Sequence, residues 1–157
     1  MSQTITTIGW KEWCSLPDLG IPIIKAKIDT GARTSSLHAT HMEHYKQNQK
    51  DYVKFMIYPL QQNTSIQKLC QAEVIDLRHI KNSGGHIEER AVIRTLLKLG
   101  PDQWPIEITL TNRNSMRFRM LLGRQAFKSN LCINPHKPYY QERYSRKSAI
   151  CYYETHL

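Results

Sequence analysis

The sequence predicts an all-β domain, a small closed barrel with one short helix near its C-terminal end. Hydrophobic and polar residues alternate with a period of two along most of the chain, which is typical of half-buried antiparallel strands. Clusters of Gly, Pro, Asn and Ser separate the alternating segments. The chain has 157 residues, 40% of them hydrophobic, which suits one domain over residues 1–157. We expect its core within about residues 5–135, followed by a basic, Tyr-rich tail over residues 136–157.

Four segments predict strands most clearly, because each places apolar side chains on one face and polar ones on the other. The apolar sets are Ile24, Ala26 and Ile28 in residues 21–29; Val53, Phe55 and Ile57 in residues 51–59; Ile106, Ile108 and Leu110 in residues 105–112; and Met116, Phe118 and Met120 in residues 115–123. The intervening residues are predicted to face outward, among them Lys25, Lys27, Thr109 and Thr111.

Turn-forming residues predict the connections. Asn-Ser-Gly-Gly at 82–85 predicts a tight hairpin between two strands, and residues 112–115 predict another short turn. Residues 98–105 predict a longer connection, and residues 123–129 predict the short helix. In the tail, residues 149–154 are compatible with one more strand.

The tyrosines of the tail allow two interpretations, a dimer surface or packing onto the chain's own barrel, and the second is preferred. They are Tyr139, Tyr140, Tyr152 and Tyr153.

Charge and cysteine content narrow the class of protein. The formal net charge is +9, and residues 78–157 carry most of it, with 14 Lys or Arg against 6 Asp or Glu. A basic surface favours acidic partners, but no aromatic and basic nucleic-acid motif accompanies it, so nucleic acid is not expected.

The cysteines form no Cys-x-x-Cys pair, which predicts reduced structural thiols; they are Cys14, Cys70, Cys132 and Cys151. Without a signal-peptide pattern or a long apolar run, we expect a soluble, cytoplasmic protein with no membrane partner.

The strongest candidate for chemistry is Asp29, which ends a buried strand and precedes Thr30 and Gly31. A carboxylate at such a position needs hydrogen bonds or a charged partner. One interpretation is an ordinary turn, in which the aspartate accepts hydrogen bonds from the following amides. The others are a catalytic carboxylate of an aspartic peptidase or part of a metal site.

A metal site would need the nearby histidines, His38, His41 and His44. No His-Glu-x-x-His motif is present, and residues 35–43 alternate better as a strand. A strand would send His38 and His41 to opposite faces, so they are weak zinc candidates only. No Gly-x-x-x-x-Gly-Lys-Ser/Thr loop occurs in the sequence, so nucleotide binding is not expected. We expect no cofactor.

The context of Asp29 resembles the catalytic loop of retropepsin-type aspartic peptidases. Ile-Asp-Thr-Gly-Ala at 28–32 is followed by a glycine-containing hairpin and by Leu-Leu-Gly-Arg at 121–124, in the order found in that family. Residues 8–39, 88–97 and 107–127 further resemble the bacterial family named ATP-dependent zinc proteases. Members of that family are compact retropepsin-like domains, often associated with ATP-grasp ligases that add glutamate to ribosomal protein S6.

The resemblance implies a role for each matching residue. Asp29, Thr30 and Gly31 would be the catalytic residues, with Thr30 holding two loops together. Substrate would contact Ala32, Arg33, Ser83, Gly84 and Gly85. At Arg33 the chain departs from viral retropepsins, which commonly have an acid there, and the arginine would favour acidic residues in the substrate. Leu122, Gly123 and Arg124 would stabilise the loop or the dimer, Arg124 by pairing with an acid.

The aspartic mechanism needs two carboxylates on one water molecule, and this chain has one Asp-Thr-Gly. The resemblance therefore implies an aspartic endopeptidase that acts on peptides or proteins as a homodimer. The first alternative is a non-catalytic module that binds an acidic peptide, a ribosomal protein or an ATP-grasp glutamate ligase. The second alternative is a zinc-dependent peptidase.

Overall fold

The computed structural model describes residues 4–82, 84–112 and 117–156. That part of the chain forms strands with two short 3-10 turns and one helix. The strands are β1 (Thr6–Ile8), β2 (Lys11–Leu16), β3 (Ile21–Ile28), β4 (Ser35–His38), β5 (Thr40–Gln47), β6 (Lys50–Ile57), β7 (Lys68–Lys81), β8 (Ile87–Leu99), β9 (Asp102–Thr111), β10 (Met120–Leu122) and β11 (Leu131–Ile133). The 3-10 turns are Pro17–Leu19 and Arg124–Ala126, and the helix is α1 (Arg146–His156).

The predicted closed barrel is confirmed. Strands follow one another in the order β2-β3-β10-β4-β9-β8, and β2 pairs again with β8 where Ser15 lies opposite Lys98. The sheet continues outside this ring through β7, β6 and β5. The barrel encloses the main hydrophobic core, which includes all three apolar residues predicted for the strand at 105–112.

The prediction of antiparallel pairing is wrong for part of the barrel. Strand β10 lies between β3 and β4 and runs parallel to β3, and β4 runs parallel to β9. Alternation with a period of two is common to both kinds of strand, so the sequence pattern does not separate them. The order matters for the site, because it brings residues 120–125 beside the loop that follows β3.

The predicted inward faces are mostly confirmed. Val53, Phe55 and Ile57 are completely buried, and Lys27 is exposed on the other face of β3. The prediction was wrong for Thr109 and Thr111, which are buried as well. Thr109 Oγ1 donates a hydrogen bond to the Ser35 carbonyl, so this hydroxyl group is satisfied inside the protein.

The connections differ from the prediction in two places. The hairpin around residues 82–85 is confirmed between β7 and β8, although Ser83 lies outside the described residues. The longer connection predicted at 98–105 is wrong, because Gly100 adopts a left-handed backbone (φ 65°) and lets β8 turn directly into β9. Residues 117–119 of the strand predicted at 115–123 also lie outside a strand, since β10 begins at Met120. Met116 and most of the turn at 112–115 lie outside the described residues.

The expectation of one helix near the C-terminal end is confirmed by α1, but its predicted position is wrong. Only a short 3-10 turn forms within residues 123–129, and the strand considered for residues 149–154 lies inside α1. The Ser145 Oγ caps this helix by accepting a hydrogen bond from the Ser148 amide. Ala149 and Tyr153, four residues apart, share one buried face.

The tyrosines of the tail pack largely onto their own chain, as preferred from the sequence. The Tyr153 hydroxyl donates a hydrogen bond to the Ile23 carbonyl of β3. Tyr139 and Tyr152 pack against the cluster around Trp13. Within the described residues, α1 is too short and too polar to cross a membrane, and no other helix qualifies.

All four cysteines are free thiols. Cys14 and Cys70 are buried, whereas Cys132 and Cys151 are exposed. Burial raises the pKa of the Cys70 thiol to about 11. The predicted structural role therefore suits the two buried cysteines.

Candidate active site

The loop after β3 places Asp29 at an open edge of the barrel. The Ala32 amide donates to the Asp29 carbonyl (3.2 Å), which closes a tight turn. The Gly31 amide donates to Asp29 Oδ1 (3.1 Å), which is the hydrogen bond that the turn interpretation requires. Among the described residues, nothing is hydrogen-bonded to the other carboxylate oxygen. Asp29 is half-buried, while Thr30 and Gly31 are exposed.

The end of β10 holds this loop from behind. The Asp29 amide donates to the Leu122 carbonyl (2.9 Å), and the Arg124 amide donates to the Ala32 carbonyl (2.8 Å). The Arg124 guanidinium donates to the Thr30 carbonyl (2.9 Å). The structure thus brings the predicted catalytic residues 29–31 next to the predicted supporting residues 122–124. Among the described residues of one chain Arg124 has no acidic partner, so its pairing with an acid stays a prediction for a dimer.

Gly123 lies where two backbones approach each other closely. Its amide donates to Ser35 Oγ (3.0 Å), and a Cβ at this position would lie 2.5 Å from the Thr34 carbonyl oxygen. Only glycine leaves room for this approach. Ser35 is a supporting residue that sequence reasoning missed. The only sequence feature that could have indicated it is a serine at the start of the strand that follows the loop.

We expect Gly123→Ala to destabilise the protein by about 1–3 kcal/mol, because the new methyl group must displace the Thr34 backbone. The same displacement should disturb Asp29 and lower any activity further than the loss of folded protein explains. Chemical denaturation and cleavage assays of the folded fraction measure the two effects.

The matched control for the stability measurement is Gly84→Ala, since a Cβ there meets only the Asn82 side chain at 3.4 Å, an ordinary contact, or the His86 ring at 3.6 Å. Equal stability of the wild type and Gly123→Ala would contradict the close packing described for residue 123.

A depression of about 410 Å³ lies beside the loop. It is lined by Arg33, Thr34 and Gln125 and by residues 78–80 of β7. Arg78 forms ion pairs with Glu107 (2.8 Å) and Asp76 (3.0 Å), and these hydrogen bonds raise the pKa of its guanidinium. Arg33 is exposed and forms no ion pair within the described residues.

Sequence reasoning included Arg33 but missed Thr34, Arg78 and Gln125 as lining residues. The sequence gives no sign that β7 faces this loop, because that depends on which strands are neighbours in the barrel. The depression is therefore an open cleft that is lined in part by the loop carrying Asp29, although Asp29 itself does not line it, and Arg33 gives it a positive charge.

The predicted flap is a hairpin whose tip is fixed by Asn82. Its side-chain oxygen accepts hydrogen bonds from the amides of Gly84 (2.9 Å) and His86 (3.1 Å). Gly85 has a left-handed backbone (φ 84°), which explains why a glycine occurs there. Gly84 and Gly85 do not line the depression beside Asp29, whereas the β7 arm of the hairpin does.

The two weak zinc candidates lie elsewhere, at the far end of β4. His38 and His41 line the same depression together with Arg119, so the prediction of opposite faces was wrong. The reason is local: His41 has a left-handed backbone (φ 52°), and the pairing of β5 with β6 shifts between Thr40 and Glu43. Burial and the nearby Arg119 lower the pKa of His38. Within the described part of the chain, no group of three or more His, Cys, Asp or Glu side chains could hold a metal ion.

Comparison with known proteins identifies the family. Residues 7–144 match the model of the RimB-like family, described as the retropepsin-like aspartic endopeptidase RimB. The chain therefore belongs to the RimB-like family of retropepsin-like domains. This match supports the retropepsin resemblance at the level of the domain, and the name of zinc protease finds no support in it.

Among curated proteins, similar sequences occur in probable α-L-glutamate ligases. The Shewanella halifaxensis protein is 46% identical over 135 residues, and the Desulfotalea psychrophila protein is 50% identical over 137 residues. Each match covers 86% of this chain but only 30% of the ligase. The chain thus spans less than a third of the curated relatives that it matches.

Among solved structures, a crystal structure of a Legionella pneumophila protein of unknown function is similar to this chain. Its TM-score is 0.74 at 25% sequence identity, and the match covers 90% of this chain and all of the other. The two proteins share the fold along nearly their whole length.

Proposed function

We propose that this protein is an aspartic endopeptidase that works as a homodimer and cleaves acidic peptides. One observation carries the proposal: the Asp29-Thr30-Gly31 loop is held from behind by Leu122 and Arg124, while its own front remains accessible. The retropepsin-like family match agrees with this interpretation.

The proposed chemistry uses the two Asp29 carboxylates of a dimer, which share one proton. The ionised carboxylate takes a proton from a water molecule, and the oxygen of that water attacks the peptide carbonyl carbon. The protonated carboxylate gives its proton to the carbonyl oxygen, which stabilises the tetrahedral intermediate. The carboxyl group that took the proton from water then gives it to the amide nitrogen, and one hydroxyl group of the intermediate returns its proton to the other carboxylate. The C–N bond breaks, which releases the amine and the new carboxyl group. Gly31 and Ala32 would lie along the substrate backbone.

A dimer is required because each chain supplies one Asp-Thr-Gly sequence. A two-fold axis beside the loop would bring the same surface of two copies together. The exposed Thr30 is suitably placed to contact the partner's loop, and the Arg124 bond to the Thr30 carbonyl would fix that contact in each copy.

The preference for acidic substrates rests on charge. Arg33 and Arg78 both line the cleft, but Arg78 is paired with Glu107 and Asp76, so Arg33 supplies the uncompensated charge. The whole chain is also strongly basic. The relatives named α-L-glutamate ligases contain a closely similar region within a longer protein. A chain extended with glutamate is therefore the proposed substrate class, and a ligase or its ribosomal-protein product is the proposed partner.

A second candidate is a non-catalytic module that binds the same acidic chains. It is favoured by the occurrence of this region as about 30% of proteins named as ligases, where it could serve the activity of the rest. A protein that binds glutamate-rich peptides, never cleaves them and stays monomeric would support this alternative.

The experiment that tests the proposal compares Arg33→Gln with wild type on glutamate-rich and neutral peptides. We expect kcat/KM for the acidic peptides to fall about tenfold, because one charge-assisted contact is lost, with little change for neutral ones. Arg94→Gln is the matched control, since Arg94 is exposed on β8 and does not line the cleft. Equal losses on both substrates would contradict the role of Arg33 in selectivity, and no cleavage by wild type would contradict the peptidase.

A further inference from the structure

A small cavity of about 100 Å³ lies away from the active site, on the outer face of the barrel. Trp13 of β2 and Lys25 of β3, which lie opposite each other in the sheet, line one wall. Gln61 lines a second wall, and Arg146 and Ala149 in the first half of α1 line a third. The cavity shares no residue with the cleft beside Asp29.

Two of the residues that line the cavity each carry a buried hydrogen-bond donor without a partner among the described residues. Trp13 is only 6% exposed, and its indole Nε1 has no hydrogen-bond partner among the described residues. The Nε2 atom of Gln61 is also buried without a partner. Buried donors are nearly always satisfied in native proteins, and an indole N–H can only donate. A ligand for this cavity must therefore offer acceptor atoms.

The cavity is also positively charged. Lys25 forms no ion pair within the described residues, and its ammonium group lies 5.1 Å from the centre of the Trp13 ring. Burial, together with the charges of Lys11, Arg117 and Arg146, lowers the pKa of Lys25. None of the described residues that line the cavity is acidic. A water molecule could accept from the two N–H groups, but it would leave the positive charge uncompensated.

We propose that this cavity binds one small oxyanion, a carboxylate or a phosphate, held by Lys25, Trp13 Nε1 and Gln61 Nε2. Its volume admits a single such group and excludes a nucleotide or a folded peptide segment. The bound anion would link the barrel to α1, whose first half forms one wall. The family match ends at residue 144, so this wall is supplied by a part of the chain that lies beyond the matched region.

Calorimetric titration of the full chain with inorganic phosphate, and separately with L-glutamate, tests the proposal at constant ionic strength. We expect saturable binding of at least one anion and a higher Tm in its presence, because a ligand that binds only the folded state stabilises it. The tighter of the two identifies the site as a phosphate or a carboxylate site. Failure of both anions to saturate would overturn the proposal.

Two variants distinguish anion binding in the cavity from nonspecific binding of anions to the surface of a basic protein. Lys25→Met keeps the aliphatic stem but removes the charge, and it should weaken binding about tenfold. Lys27→Met is the matched control, because Lys27 is exposed two residues further along β3; equal losses in both variants would overturn the site.

Gln61→Glu provides a test that does not depend on Lys25. It places an acceptor inside the cavity, so it should raise the Tm without added anion and abolish binding of both anions. Unchanged anion affinity in this variant would also overturn the proposal. None of these residues belongs to the proposed catalytic loop, so failure here leaves the peptidase proposal untouched.

Discussion

Asp29→Asn is expected to abolish peptide cleavage, with a loss of about 10³-fold or more, while the fold and the dimer remain intact. Asparagine has nearly the same shape, and its side-chain oxygen can still accept the hydrogen bond from the Gly31 amide. It can neither take a proton from water nor share one with a partner carboxylate. Cleavage of glutamate-rich peptides by purified wild type and variant measures the effect.

The same assay with and without EDTA distinguishes the aspartic mechanism from a zinc peptidase. The aspartic mechanism predicts that EDTA has no effect on the wild type. Activity that disappears with EDTA but survives in Asp29→Asn would contradict the role of Asp29 and favour the metal alternative.

Mixing the two proteins tests whether two chains share one site. With a fivefold excess of Asp29→Asn, random pairing should lower the activity of a fixed amount of wild type to about one sixth. The excess variant captures most wild-type chains in dimers that hold one aspartate. Size analysis must first show that the variant dimerises. Unchanged activity in the mixture would mean that a single chain carries a complete site.

The inward faces of the strands could be predicted from the sequence because they depend on local alternation. Val53, Phe55 and Ile57 follow from the pattern alone, since a strand must bury one face. The contacts that support Asp29 could not be predicted in this way, because they join residues that are far apart in the sequence. Leu122 and Arg124 were found only through the resemblance to a family, because about ninety residues separate them from the loop. No local pattern predicts that β10 lies between β3 and β4.

Helix α1 shows a different limit of sequence reasoning. Residues 149–154 alternate for too few positions to separate a strand from a helix, and Ala149 and Tyr153 fit both patterns. Tertiary contacts of Tyr153 favour the helix over the strand. Its ring is buried in the same cluster as Ile23, and its hydroxyl group donates a hydrogen bond to the Ile23 carbonyl. The cavity next to Trp13 could not be predicted either, because one of its walls exists only when α1 packs on the barrel.

Glu12 is a buried acid that neither the sequence pattern nor the proposed chemistry explains. We expect its replacement to have the largest effect on stability. It is completely buried, and no described cation pairs with it. Its carboxylate accepts hydrogen bonds from the amides of Gly9 (2.6 Å), Tyr140 (2.8 Å) and Gln141 (3.2 Å). These bonds hold the tail segment around residue 140 against the start of β2.

We expect Glu12→Ala to lower the free energy of unfolding by about 3 kcal/mol or more, because three buried amides lose their acceptor. Glu12→Gln should cost less, since its amide oxygen can still accept from some of them. Denaturation of the full chain measures both, with Glu43→Ala as the control because Glu43 is exposed on β5.

The position of these amides adds a second readout for Glu12→Ala. The residues after 136 should be cleaved faster by an added protease, since the Tyr140 and Gln141 amides are the groups released first. Gln141 keeps a side-chain hydrogen bond to the Thr7 carbonyl (2.7 Å), so the tail should loosen rather than detach. Unfolding of Glu12→Ala and Glu43→Ala at the same denaturant concentration would contradict this role. It would mean that water replaces Glu12 as the acceptor of the three amides at no cost in stability, and that the carboxylate does not hold the tail.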